Sequence, residues 1–274
     1  MLTVFTLSSG RSATHFLYKL IRRNARDCVA RHETYGFNPS MFGRPIYDCT
    51  AGMRDRTKKL LQRKRRIIER YRAAVYVETS HAFLKSWSDL LVEFFPRSKF
   101  VHLIRDPLKV AKSEADREQL IKRLYIPFCY YRGNNGGTYF LWSLTGLEPI
   151  FRHFDVSRLT RLQWYLIQWI EIENRAMRFL GEFGKHADCF TLHSPAELND
   201  AGRVAELFDF VGMQKRGPRI VIGGRRNINW RPTVVTDEDR QQFSDVVRTV
   251  PSSYLEIFRH EPYASLPWSE SLVH

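Results

Sequence analysis

The start of the chain limits the fold most, because an apolar strand is followed at once by a turn of small residues and then a helix. Leu2–Leu7 is apolar and rich in β-favouring side chains, which predicts a buried strand. Residues 8–12, Ser-Ser-Gly-Arg-Ser, end that strand with turn-forming residues. One face of the following predicted helix carries Phe16, Leu17, Leu20 and Ile21. A strand–loop–helix unit of this kind is typical of α/β proteins.

Strands and helices continue to alternate along the chain. The further predicted strands are 75–77, 99–104 and 190–192. The further predicted helices are 87–95, ended by Pro96, then 108–124, 159–180 and 237–248. Residues 127–150 are interpreted as a Gly/Asn loop beside aromatic side chains. The order predicts a central, mostly parallel sheet flanked by helices, in a single domain that spans residues 1–274.

The chain is strongly basic, with 43 Lys and Arg against 29 Asp and Glu and a formal net charge of +14. Such a charge suits nucleic acid, an anionic membrane surface or a small polyanionic ligand. The densest basic run is 54–72, in which apolar residues recur at helical spacing: Leu60, Leu61, Ile67, Ile68 and Tyr71. We interpret this run as an amphipathic helix with a solvated cationic face, and a face that docks a polyanion is the alternative.

Composition excludes several classes of protein. A hydrophobic share of 43% excludes a disordered chain. No apolar run approaches the roughly 18 residues that a membrane span needs, and no charged leader precedes an apolar core. The four cysteines are far apart, so we expect neither a disulfide framework nor a zinc cluster: Cys28, Cys49, Cys129 and Cys189. These observations predict a soluble, cytoplasmic protein.

The first segment with chemical character is 8–15, Ser-Ser-Gly-Arg-Ser-Ala-Thr-His, between the first strand and the first helix. Backbone N–H groups at a helix N-terminus point outward, and the helix dipole favours negative charge there. Ser12 and Thr14 add hydroxyl donors, and Arg11 adds a fixed positive charge. The segment is not a Walker loop, because it lacks GxxxxGK[ST]. It predicts an anion site, and a plain Gly/Ser turn is the alternative.

The second segment is Arg105-Asp106-Pro107, which follows the strand predicted at 99–104. Arg105 therefore lies where a parallel strand ends, the edge at which α/β proteins bind ligands. Ser113 stands eight residues after Arg105, about two turns into the predicted helix, where it could face the same ligand. An arginine and a hydroxyl together suit a phosphate. A salt bridge between arginine and aspartate within a turn is the alternative.

Together the two segments resemble the nucleotide-binding elements of sulfotransferases that use 3′-phosphoadenylyl sulfate (PAPS). Residues 11–14, Arg-Ser-Ala-Thr, resemble the 5′-phosphosulfate loop [KR]-S-G-T, with Ala13 in place of its glycine. Alanine is expected to be tolerated there if the position is already helical. Arg105 and Ser113 match the 3′-phosphate element, R-[DN]-P followed by a serine. The order and spacing of the two elements, about 90 residues apart, also match.

The resemblance implies a P-loop-like sulfotransferase fold and a set of nucleotide contacts. In the first element these are Ser9, Gly10, Arg11, Ser12, Ala13, Thr14 and His15, and in the second Arg105 and Ser113. The basic glycine segment 223–227 resembles the part of the family that folds over the 3′-phosphate, which implies Arg225, Arg226 and Asn227. An exposed basic turn is the alternative there. Trp230 is either a core residue or a cover for the adenine.

The resemblance also implies the catalytic groups. Glu33 stands where the Golgi-type and tyrosylprotein branches carry a glutamate base, and His32 and His81 are the alternatives, because sulfuryl transfer to a hydroxyl needs a group that takes the proton. Arg11 would stabilise the charge that develops on the leaving nucleotide. Some branches add a lysine before the second element. Here Lys85 follows on what would be the wrong turn of a helix, so the second cation stays unassigned.

These features predict a sulfotransferase that moves a sulfuryl group from PAPS to a hydroxyl acceptor by in-line displacement, with 3′,5′-adenosine bisphosphate (PAP) as product and no metal. The acceptor is a carbohydrate, glycolipid, peptide or small molecule, and its pocket is predicted near 127–150. A non-catalytic polyanion-binding protein and a P-loop-like kinase are the alternatives. No nucleic-acid partner is expected. The run 54–72 leaves open an anionic acceptor, and the oligomeric state is not predicted.

Overall fold

Five parallel strands form the centre of the fold. The computed structural model describes residues 1–223 and 234–273. The strands of the central sheet are β1 Leu2–Leu7, β2 Cys28–Arg31, β3 Val75–Glu78, β4 Ser98–Ile104 and β7 Cys189–His193. A separate antiparallel hairpin consists of β5 Tyr130–Arg132 and β6 Thr138–Phe140. The predicted α/β class with a mostly parallel sheet is confirmed.

The order of the strands, β2-β3-β1-β4-β7, places β1 at the centre of the sheet. From β1 the chain moves to one side for β2 and β3, and then to the other side for β4 and β7. A change of direction of this kind leaves a crevice at the carboxyl ends of the strands that flank it. The loops after β1 and β4, which hold the two segments with chemical character, therefore open into the same crevice.

Helices cover both faces of the sheet. They are α1 Thr14–Asn24, α2 Arg44–Thr50, α3 Asp55–Glu69, α4 Phe83–Ser86, α5 Leu91–Phe94, α6 Pro107–Arg123, α7 Arg161–Glu182, α8 Ala201–Val211, α9 Asp237–Thr249, α10 Ser252–Leu255 and α11 Glu270–Val273. Successive side chains of β1 point to opposite faces. Val4 packs in the core that includes α1 and α8, whereas Phe5 packs in the core that includes α4 and α7. The sheet is therefore buried on both sides, as parallel sheets are.

Most predicted elements are present within a few residues of their expected bounds, including the helices at 54–72, 108–124, 159–180 and 237–248. The edge strand β2 was not predicted, because it has only four residues and a partly exposed pattern. The single helix expected over 87–95 is wrong. Trp87 leaves the helical region at φ −155°, a 3-10 turn follows at Ser88–Leu90, and α5 ends at Phe94. Trp87 instead packs edge-on against Phe5, with ring centroids 5.0 Å apart, so tertiary packing overrides local propensity.

The interpretation of 127–150 as a long loop is also wrong. Residues 130–132 and 138–140 pair as the β5–β6 hairpin, and the Gly/Asn segment 133–137 is only its turn. Gly136 adopts φ +78°, a left-handed conformation that favours glycine in a tight turn. Each strand has three residues, which is too short for an alternating apolar pattern to be recognised.

One cation of the basic run on α3 is fully buried. The Nζ atom of Lys64 lies 2.9 and 2.7 Å from the two carboxylate oxygens of Glu78, and it donates to Thr34 Oγ1 at 2.9 Å and to Asn38 Oδ1 at 3.3 Å. The Tyr76 hydroxyl also donates to Glu78, at 2.7 Å. The cationic face of this helix was predicted to be solvated, but Lys64 is buried. It connects α3 to β3 and to the segment 34–38.

The described helices include none with the length and apolar composition that crossing a lipid bilayer requires. All four cysteines are unpaired thiols.

We expect Lys64→Met to lower the free energy of unfolding by about 3 to 5 kcal/mol, because it leaves the Glu78 carboxylate buried without its partner. Urea titration followed by circular dichroism measures this change. Lys59→Met, on the exposed face of the same helix, is the matched control and should change stability by less than about 0.5 kcal/mol. The double variant Lys64→Met with Glu78→Gln should recover part of the loss. Equal effects of the two single substitutions would contradict the buried ion pair.

Candidate functional site

The loop between β1 and α1 has a strongly turned backbone. Gly10, Arg11 and Ala13 all adopt positive φ, at +106°, +50° and +68°. The Ser8 hydroxyl accepts a hydrogen bond from the Gly10 N–H at 3.2 Å, and the Ser12 hydroxyl donates to the Gly10 carbonyl at 3.0 Å. The buried hydroxyls of this loop therefore hold its shape.

Gly10 allows the loop to lie directly against two other elements. A Cβ atom at this position would lie 2.6 Å from Oε1 of Glu114 on α6 and 3.2 Å from Nδ1 of His81, which follows β3. A side chain here would displace the Glu114 carboxylate. The φ angle of +106° is the stronger reason for glycine at this position.

The condition set for Ala13, that it already be helical, is not met. Ala13 has φ 68° and ψ 25°, the left-handed region, and precedes the first helical residue, Thr14. A non-glycine residue in this conformation costs roughly 1 to 2 kcal/mol. No side chain in the described part of the chain caps the start of α1, so its first N–H groups face the loop region where an anion would be favoured.

The two segments with chemical character are in direct contact. Arg11 Nε donates a hydrogen bond to Ser113 Oγ at 2.8 Å, and Arg105 donates to the backbone carbonyl of Arg11 at 2.6 Å. Burial lowers the pKa of both arginines, and the charge of Arg11 lowers that of Arg105 further. Arginine nevertheless stays charged at neutral pH. Two partly desolvated cations and a hydroxyl thus share one crevice, which suits an anionic ligand.

The remaining predicted nucleotide contacts surround this crevice. Ser9, Ser12 and Thr14 are buried in the loop or at the start of α1. The His15 ring stacks on His32, with centroids 5.0 Å apart. The predictions for Arg225, Arg226, Asn227 and Trp230 lie outside the described residues.

The three candidates for the base meet at one carboxylate. Glu33 follows β2 with φ +42°, and its Oε1 lies 3.3 Å from His81 Nε2 and 3.8 Å from His32 Nε2. Its other oxygen accepts a hydrogen bond from the Tyr35 hydroxyl at 3.1 Å. His32 Nδ1 is occupied by the Thr79 carbonyl at 2.7 Å. Glu33 is therefore the centre of the cluster.

The protonation states of this cluster follow from burial and hydrogen bonding. Burial opposes ionisation of Glu33, but the hydrogen bond from His81 and the positive charges of His81, His32 and Arg117 in acid outweigh it and lower its pKa to about 2. Burial lowers the pKa of His81 to about 4, and it also lowers the pKa of His32. At neutral pH Glu33 is thus a carboxylate beside two neutral imidazoles. We assign the His81 proton to Nε2, so that it donates to Glu33.

Two charged residues of α6 were missed by sequence reasoning. Glu114 is 1% exposed, and its carboxylate lies 2.6 Å from the Arg117 guanidinium. That guanidinium in turn lies over the Trp142 ring, 4.7 Å from its centroid. The sequence did indicate this pair. Glu114 directly follows Ser113, and Arg117 stands three residues after Glu114, a spacing at which opposite charges pair on a helix.

Lys85 also belongs to the cluster, contrary to its expected position on the wrong turn. It is fully buried on the short helix α4 and donates a hydrogen bond to the Trp142 carbonyl at 2.8 Å. Burial lowers its pKa to about 7, although the negative charge of Glu114 opposes this shift. Its charge acts on His81 as well. No sequence pattern could have shown this, because α4 is a single turn.

A cavity of about 410 Å³ lies beside Arg105 at the carboxyl ends of β4 and β7. Its lining includes Lys109, His193, Phe243 and Trp268. The volume is within the range of small-molecule sites. Within residues 1–223 and 234–273, no three His, Cys, Asp or Glu side chains are grouped so that they could hold a metal ion.

No protein-family model matches the chain, and no curated protein sequence matches it. Among solved structures, the chain is similar to a sulfotransferase from Alicyclobacillus acidocaldarius, with 15% identity and a TM-score of 0.46, over 92% of this chain and 97% of that one. It is also similar to the sulfotransferase domain from the curacin biosynthetic pathway, with 10% identity and a TM-score of 0.44, over 77% and 74% of the two chains. What the chain does must therefore be inferred from its own residues.

We expect the buried charge of Lys85 to make stability depend on pH. Between pH 7 and the ordinary lysine pKa, the unfolded chain binds a proton that the folded protein does not, so wild-type stability rises with pH in this range. Lys85→Met removes this dependence. The variant should be more stable than wild type, and this difference in the free energy of unfolding should be larger at pH 6 than at pH 9 by on the order of 2 to 3 kcal/mol. Urea titrations at both pH values test this, with exposed Lys59→Met as control, and an equal gain at both would contradict it.

Proposed function

We propose that the chain is a sulfotransferase that moves a sulfuryl group from PAPS to a hydroxyl acceptor. The contact between Arg11 and Ser113 carries the proposal, because it joins the two predicted donor-binding segments at one edge of the sheet. Arg105 strengthens this junction through its bond to the Arg11 carbonyl. A polyanionic nucleotide is the ligand that such a junction fits best.

The residues at this junction fit the donor. The Arg105 Nε is buried and has no hydrogen-bond partner within the described residues, so it is available to a phosphate oxygen. The start of α1, which no side chain among the described residues caps, favours negative charge. The cavity beside Arg105 offers the aromatic side chains of Phe243 and Trp268 to a nucleobase.

When bound, PAPS supplies an activated sulfuryl group on a phosphate leaving group. Arg11 is placed to stabilise the negative charge that the leaving phosphate gains in the transition state, without reorganisation of the site. Lys85 contributes a second positive charge. Because Lys85 is fully buried, its electrostatic effect on neighbouring groups is stronger than it would be in water. These two side chains would supply the electrostatic part of catalysis.

Glu33 is the proposed base that takes the proton of the acceptor hydroxyl. It is ionised at neutral pH, it is 16% exposed, and hydrogen bonds from His81 and Tyr35 fix its orientation. His81 is the second candidate, because its buried Nδ1 lies near Gly10 and lacks a partner among the described residues. His32 is the third candidate: the Thr79 carbonyl accepts the hydrogen bond of its Nδ1–H, which leaves Nε2 as the nitrogen that could take a proton.

The polyanion-binding alternative finds less support in the contacts of α3. Besides Lys64, four cations of the run 54–72 are held in ion pairs: Arg54 with Asp89, Arg56 with Asp48, Lys58 with Glu93 and Arg65 with Glu69. Lys64 is buried. Much of the basic run is therefore committed within the protein, and a kinase remains the less supported alternative because the Walker lysine is missing.

Calorimetry with PAP tests donor binding. We expect wild type to bind PAP in the micromolar range without Mg²⁺, and Arg105→Ala or Ser113→Ala to weaken binding at least about tenfold, since each removes a contact to phosphate. Arg63→Ala, an exposed arginine on α3, is the matched control and should bind normally. Absence of PAP binding by wild type would overturn the proposal, and Mg²⁺-dependent ATP binding would favour the kinase.

Transfer of labelled sulfate from PAPS to an acceptor panel, with mass spectrometry of the product, tests the base. Glu33→Gln should bind PAP within about twofold of wild type but lower kcat by about 10²- to 10⁴-fold, because it cannot accept the proton. Glu69→Gln, exposed on α3, should turn over normally. A near-normal rate in Glu33→Gln would reject this assignment, and the same measurement on His81→Gln and His32→Gln would then identify the base.

A further inference from the structure

One face of α6 runs from the candidate site out to solvent. Ser113, Arg117, Leu120 and Leu124 are separated by four, three and four residues, which places them on a single helical stripe. Ser113 accepts the hydrogen bond from Arg11, and Arg117 lies over Trp142. The inner end of the stripe is therefore part of the site.

The outer end of the stripe is apolar and exposed. Leu120 and Leu124 are 54% and 59% exposed, and Tyr125 and Phe128, which follow α6, are 90% and 81% exposed. Tyr125 has φ +48°, a left-handed conformation that is unusual for an aromatic residue. Neighbouring exposed apolar side chains mark ligand grooves or interaction sites, whereas isolated ones need no explanation. We call Leu120, Leu124, Tyr125 and Phe128 the apolar stripe.

The segment that carries Glu33 presents apolar side chains as well. Tyr35, whose hydroxyl donates to Glu33, is 55% exposed, and Phe37 is 88% exposed. Glu33 Oε1 lies 3.3 Å from His81 Nε2, and both His81 and Glu114 of α6 lie against Gly10, so this segment reaches α6 at the candidate site. Exposed apolar side chains thus lie on two elements that both reach the candidate site.

We propose that the acceptor is an amphiphile, with its hydroxyl at the polar end beside Glu33 and an alkyl or isoprenoid chain along the apolar stripe. This inference rests on the proposed function and names its acceptor class. The stripe offers aliphatic leucines, which suit a hydrocarbon chain. Covering these side chains removes apolar surface from water, which would supply binding energy remote from the reacting hydroxyl.

A second copy of the chain fits the stripe less well. Each copy carries a net charge of +14, and exposed Arg123 directly precedes Leu124, so two copies would repel each other. Four exposed side chains also fall far short of the roughly 20 to 30 residues a side of a stable protein interface. An anionic membrane surface is distinguished from a single amphiphile by the experiment below.

Calorimetry on the PAP-saturated protein with methyl, butyl, hexyl and octyl β-glucoside, below their micelle concentrations, tests the inference. The head group is constant, so only the chain varies. We expect the Kd to fall about two- to fourfold for each methylene that the stripe covers. The double substitution Leu124→Ser and Phe128→Ser should flatten this dependence. Val92→Ser, at a 53% exposed valine on α5, should preserve it.

Three outcomes would overturn the inference or its premise. A flat dependence on chain length in wild type, with PAP binding intact, overturns the amphiphile. A flat dependence with flotation on phosphatidylglycerol vesicles that the Leu124→Ser and Phe128→Ser substitutions abolish would also overturn it, and would assign the stripe to a membrane surface. Loss of PAP binding by wild type rejects the proposed function instead, independently of the stripe.

Discussion

The hydrogen bond from Arg11 to Ser113 is the interaction on which the candidate site depends. It joins a loop that follows β1 to a helix that follows β4, and it exists only because β1 and β4 are neighbours at the centre of the sheet. The same arrangement places Arg105 against the carbonyl of Arg11. Burial and the positive charge of Arg11 lower the pKa of Arg105, so an anion beside these two side chains would be favourable. Binding of such an anion would stabilise the fold as well as the site.

Two carboxylates, those of Glu114 and Glu33, lie close to the crevice that holds Arg11 and Arg105. Glu114 lies against Gly10 from α6, and Glu33 reaches the cluster from the edge strand β2. Both carboxylates raise the pKa of Arg11, which shows that their charges act on it. Glu33 is held in turn by a segment that Lys64 fixes through Thr34 and Asn38. The buried ion pair of α3 therefore supports the orientation of the proposed base, although it lies outside the crevice.

The sequence predicted the class of the fold, β1, and the two segments that meet, because each is a local pattern of strand, turn and helix. It could not predict Lys85 or Lys64, since their burial is set by helices packing across many residues of chain. The β5–β6 hairpin was missed because three-residue strands carry no periodic signal. The helix over 87–95 failed because Trp87 is drawn into the core against Phe5. Ala13 was misjudged because a left-handed residue before a helix has no sequence signature unless it is glycine.

The net charge of +14 divides into groups with different roles. Arg11 and Arg105 are placed for an anionic donor, Lys64 is structural, and several cations of α3 are neutralised by neighbouring carboxylates. These assignments leave unexplained the apolar stripe at the end of α6. A donor that is highly anionic and an acceptor that is partly apolar require opposite environments. The single helix α6 provides both, because Ser113 lies in its first half and Leu124 directly follows its last residue.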